Sequence, residues 1–124
     1  MSKQGLMHAA MVAAAMATVL TVDASEASAH HGWSEYNNQQ SLTVTGEIQQ
    51  VSSGNPHTTI RLKSGNKVWT AILAPPSRME RRGLPQGALK AGQTVRLVGY
   101  PHRSAANEMR AERITLGDRT VELR

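Results

Sequence analysis

The chain contains no cysteine and no phenylalanine. The first absence excludes disulfide staples, iron–sulfur clusters and thiol chemistry. The second leaves Trp33, Trp69, Tyr36 and Tyr100 as the aromatics besides histidine, too few for a platform that stacks successive bases. Methionine is scarce after the opening residues. Met1, Met7, Met11 and Met16 precede residue 30, and only Met79 and Met109 follow it, which excludes a methionine-rich copper(I) protein. Acidic residues are outnumbered, with 9 Asp and Glu against 14 Lys and Arg, for a net charge of +5. Only one long apolar stretch occurs, from Leu6 to Val22.

That stretch explains the rest of the N-terminus. Lys3 gives a short basic start, and Ala27-Ser28-Ala29 gives the small-residue exit of a secretory signal. Residues 1–29 are expected to be a cleaved signal peptide, so the expected location is the periplasm. Cleavage after Ala29 removes Lys3, Asp23 and Glu26 and raises the net charge from +5 to +6. A basic exported chain suits an acidic protein or an anionic envelope surface. Export argues against nucleic acid, and none is expected.

Residues 30–41 are polar and predict an extended arm. Residues 42–124 predict strands separated by turn signals. Val44 and Ile48 alternate around Gly46, where a bulge or sharp bend is expected. Ser52 to Pro56 predicts a loop. Thr58, Ile60 and Leu62 alternate with His57, Thr59 and Arg61. Ser64-Gly65-Asn66 predicts a tight hairpin. Lys67 to Ala74 predicts a third strand, ended by Pro75-Pro76. Ser77 and Glu80 have the spacing of a capping box, and Gly83 and Pro85 limit the helix to one or two turns. Thr94 to Tyr100 and Met109 to Leu116 predict two further strands, and Thr120 to Leu123 a short last one. Three strands, a short helix and two strands is the order of a five-stranded OB barrel. The expectation is an all-β fold with one short helix, a five- to six-stranded OB-like barrel. Another small barrel or a sandwich is the alternative.

Two groups of residues carry chemistry. His30 and His31 would open the processed chain, and His57 and His102 are the other histidines after the leader. An N-terminal histidine offers an α-amine and an imidazole, and copper(II) favours such nitrogen ligands in tetragonal geometry. With one further imidazole the set resembles a histidine brace. The expected metal ligands are therefore His30, His31, His57 and His102, and the expected cofactor is copper. The other reading leaves His30 and His31 on an arm, with His57 and His102 hydrogen-bonding loops. The second group is Arg78, Arg81 and Arg82, with Arg103 and Arg110 expected to add charge nearby. Helical spacing stacks Arg78 over Arg82, and arginine forks suit carboxylate, phosphate and sulfate. Against an anion or partner site stands a solvated face partly paired with Glu80, Glu108 and Glu112. No Ser-His-Asp order, phosphate loop or paired-carboxylate signature supports catalysis. An oxygen-activating copper site is the one enzymatic reading left.

Several segments together resemble one family of small exported bacterial proteins. They are AHHGWSEY at 29–36, NPH at 55–57, LAPPSRMERRGL at 73–84, GYPHR at 99–103 and RAERI at 110–114. The resemblance is to a domain of unknown function found mostly in proteobacteria. The chain is also similar to periplasmic bacterial OB-fold proteins. That likeness implies a binding module rather than an enzyme. The expected function is an exported, non-enzymatic binding module, either taking copper(II) or docking an acidic protein, glycan or membrane surface through its arginines.

Overall fold

A computed structural model describes residues 32–54 and 56–124. The expected leader, His30, His31 and Asn55 lie outside the described residues. The described chain opens with a 3-10 turn at Trp33–Glu35. Strands follow at β1 (Leu42–Ser53), β2 (Thr58–Ser64) and β3 (Lys67–Ile72). A six-residue helix α1 (Pro76–Arg81) comes next, and then β4 (Thr94–Pro101), β5 (Glu108–Leu116) and β6 (Arg119–Glu122).

Antiparallel pairing runs β3-β2-β1-β4-β5-β6. A short parallel pairing of β3 with β5 closes the first five strands into a barrel. This closure and the helix between β3 and β4 are the OB-type arrangement expected from the element order. Closure removes the open edge that β3 would otherwise present. β6 adds to β5 outside the ring.

β1 is long because it serves two partners. Leu42 to Glu47 pair with β4, and Glu47 to Ser53 pair with β2. The expected loop at Ser52 and Ser53 is therefore strand, with these residues opposite Thr59 and Thr58. Gly46 sits where the strand passes between its partners. A Cβ there would collide with the Lys63 carbonyl. The bulge comes just beyond, between Ile48 and Gln50, and it tightens the coil that a small barrel needs. Gly99 plays the same part on β4. A Cβ would strike the Arg110 carbonyl, and the register shifts between Val98 and Gly99.

The barrel interior follows the period-two pattern. Val44, Ile48, Ile60, Leu62, Ala71, Val95, Leu97, Met109 and Ile114 are buried in one cluster. Met79 of α1, with Leu84 and Leu89 after it, joins that cluster. Trp69 packs partly buried against it, with Lys67 Nζ 3.6 Å from its ring centroid.

The capping box does not form. The helix starts earlier, with Pro75 as N-cap, Pro76 at the first position and no side-chain cap. Proline is preorganised for that first turn and has no N–H to leave unpaired. The Ser77 hydroxyl and the Glu80 carboxylate are thereby released from capping.

Candidate functional site

One row of the barrel ladder organises the chemistry. Thr59 pairs with Ile72, Ile72 with Arg110, and Arg110 with Tyr100. Arg110 belongs to the outward face of β5, because Met109 and Ala111 on either side point into the core. Yet Arg110 is only 4% exposed. The segment that hides it is the 3-10 turn, which lays Trp33 over the outside of the barrel. The Arg110 guanidinium lies 4.3 Å from the Trp33 ring centroid, and that of Arg124 also lies at 4.3 Å. Tyr100 meets the same indole edge-on, with centroids 6.2 Å apart. The residues after Gly32 thus form a structured strap.

The strap is locked along its length. The Tyr36 ring is buried, and its hydroxyl donates to Glu108. Tyr36 also bridges to His102 through the backbone, and the two rings meet edge-on at 5.1 Å. Arg103 donates from Nε to the Ser34 carbonyl at 2.9 Å and from its backbone N–H to the Glu35 carbonyl at 3.0 Å. Burial is the main cause of a Tyr36 phenol pKa far above the usual tyrosine value. The Glu108 hydrogen bond and the Glu108 and Glu35 charges add to it, while Arg110 pulls the other way.

The histidines take separate roles. His102 Nδ1 accepts backbone N–H bonds from Ser104 at 3.0 Å and Ala105 at 2.9 Å. Those donors require an unprotonated Nδ1, which leaves the proton of the neutral ring on Nε2. Nε2 faces Glu35 at 3.7 Å. His57 Nε2 lies 3.3 Å from Arg110 Nη2, so it is the acceptor of a guanidinium that can only donate. The register separates the pair. His57 lies two residues beyond Thr59 on one side of the row, and His102 two beyond Tyr100 on the other. That is about four residues along the strands, roughly 13 Å at the usual rise. His57 and His102 therefore do not meet in one site. Among the described residues no group of three or more His, Cys, Asp or Glu stands together.

The expected arginine face is divided. Arg78 donates to the Leu123 carbonyl at 3.3 Å. Arg82 donates to the carbonyls of Glu122 at 2.7 Å and Arg124 at 3.2 Å. These two clamp the end of the chain beside β6, and Arg119 returns the contact by donating to the Gly83 carbonyl. Arg81 is exposed on another side of the helix. Of the expected acidic partners, Glu108 takes Tyr36, and Glu112 takes Tyr100 at 3.1 Å and Arg124 at 3.4 Å.

The arrangement nevertheless gathers positive charge. Burial lowers the Arg110 guanidinium pKa from its usual value, and the nearby charges of Arg78 and Arg124 lower it further. Arg110 and Arg124 thus share the Trp33 ring, and Arg78 is close enough for its charge to act on Arg110. Sequence reasoning reached Arg78 and Arg110 as parts of a basic group, but not Arg124 or the burial of Arg110. Nothing in the alternation of β5 says that an outward arginine will be covered, because the covering indole is 77 positions away in the chain.

Comparison with curated proteins gives no match. The profile of a family of unknown function, DUF6152, matches residues 15–110 and so takes in the strap, α1 and the barrel as far as Arg110. The chain belongs to that family of unknown function.

Proposed function

We propose that this chain is an exported, non-enzymatic binding module that docks an anionic group carried by an acidic protein or an anionic envelope surface. One observation carries the reading: the guanidiniums of Arg110 and Arg124 both lie against the Trp33 ring, and Arg78 is near enough for its charge to act on Arg110. Like charges held together are costly, and a carboxylate or phosphate would relieve that cost while receiving forked hydrogen bonds. The indole keeps the flat guanidinium groups oriented before any ligand arrives. Arg81, exposed on the same short helix, extends the positive field towards an approaching partner.

Trp33 is the natural reporter, being one of two tryptophans in the chain. Its emission is titrated with an oligoglutamate peptide and with inorganic phosphate, at low and at high salt. The expected result is a saturable change that weakens as salt screens the charges and is lost in Arg124→Glu. Binding that ignores both salt and this reversal overturns the reading. Phosphate binding without peptide binding narrows the partner to a phosphorylated one.

Copper(II) binding at His30 is a separate proposal. It rests on a histidine that directly follows an Ala-x-Ala signal exit. Native mass spectrometry of protein recovered from the periplasm tests it. One tightly held copper on a chain beginning at His30 supports it. A chain beginning there that takes no copper overturns it.

A further inference from the structure

On a different side of α1 from Arg78 and Arg82, the structure has an open cavity of about 260 Å³. Its apolar wall comes from Val51 at the end of β1, Met79 of α1, and Leu84 and Leu89 from the connection to β4. These side chains belong to the barrel's own core cluster or pack against it, so the wall is rigid. The polar wall includes Ser77 and Glu80, the two side chains that a capping box would have consumed. Because the helix starts at Pro76, neither caps it. The Glu80 carboxylate makes no hydrogen bond or ion pair with any described residue. Although the chain carries 14 Lys and Arg, none of those among the described residues lines the cavity.

We propose that this cavity is a binding site for a small organic cation, a single apolar ring or branched chain bearing a protonated amine. The apolar wall takes the body of the ligand, which is the usual division of labour in small-molecule sites. The Glu80 carboxylate accepts from the ammonium, with the Ser77 hydroxyl beside it. The volume, just below the usual range for ligand pockets, limits the ligand to one ring with a short side chain. The site is independent of the anionic docking surface and of opposite charge preference.

The test uses the full chain labelled with ¹³C at its methionine methyls. Met79 lines the cavity, and Met109 is sealed inside the barrel as an internal control. Three probes of similar shape are titrated: phenethylammonium, 2-phenylethanol and phenylacetate. The expected result is a saturable shift of the Met79 methyl with Met109 unmoved, strongest for the amine and weakest for the carboxylate. Because Glu80 is exposed, its charge is worth about two- to fivefold in affinity. Glu80→Gln should remove that advantage of amine over alcohol and leave the alcohol unchanged. Ser77→Leu, at an exposed position, should fill the cavity and abolish the response to all three while the Met109 signal certifies the fold. A Met79 methyl that stays silent to every probe at millimolar concentration overturns the proposal. So does a carboxylate that binds as tightly as the amine, or an amine preference that survives Glu80→Gln.

Discussion

Arg110 is the residue on which the outer layer depends. An outward side chain on a barrel strand is ordinarily solvated, and here it is covered by an indole and flanked by His57. Arg110→Ala removes a buried cation–π contact and the packing of a long side chain, so a loss of about 2 kcal/mol is expected in urea unfolding. Arg81→Ala, at an exposed position, should stay within about 0.5 kcal/mol. Tyr36 supplies a second test. Its phenol pKa is held above the usual 10.0, so the folded state favours the protonated form. The stability this contributes is whole below the unfolded value and is lost as pH rises above it towards the folded one. Tyr36→Phe should therefore flatten the alkaline limb of stability. Tyrosinate absorbance of the native protein should rise mainly as the strap and barrel come apart. Both residues were present in the sequence as an ordinary outward position and an ordinary aromatic. Their roles depend on contacts with no local signature.

Among the elements, β1 and β4 bend where glycine permits backbone to approach backbone. Gly46→Ala and Gly99→Ala each drive a methyl into a facing carbonyl, and rigid backbone cannot yield as a side-chain tip would. A loss of about 3 kcal/mol or failure to fold is expected for each. Gly54→Ala, whose nearest neighbour is a serine hydroxyl at 3.8 Å, should stay within about 0.5 kcal/mol. Circular dichroism melts of the three variants decide the point. The added strand β6 depends partly on charge. Arg113 Nε donates to Glu122 at 2.8 Å, and this hydrogen bond is the main cause of a carboxyl pKa below the usual value. Its stabilisation is present above the ordinary carboxylate value and fades as pH falls through the lowered one. Glu122→Gln should accordingly make the thermal midpoint less sensitive to acid. The strand order and the Gly46 bend were legible because alternation and glycine act locally. The capping box misled because Ser77 and Glu80 match the spacing, while Pro75-Pro76 just ahead start the helix two positions earlier.

At the scale of the molecule, a barrel this small leaves its outside to be finished by the strap, α1 and the chain beyond β6. Trp33→Ala should expose Arg110 and Arg124 together. Hydrogen exchange at Asn37 and Arg103 should then accelerate far more than exchange in β2, because the Asn37 N–H donates to the Pro101 carbonyl and the Arg103 N–H to the Glu35 carbonyl, tying the strap to the end of β4. By itself the sequence determined the strand pattern, the OB-like order, the basic charge and the exclusion of thiol chemistry, since alternation, turn residues and composition are read within a few positions. Only the tertiary structure decided that His57 and His102 part company, that Arg78 and Arg82 hold backbone carbonyls, and that Arg110 is buried beneath Trp33. Those outcomes follow from strand register and barrel closure, which join residues from opposite ends of the chain and leave no mark on the stretches they join.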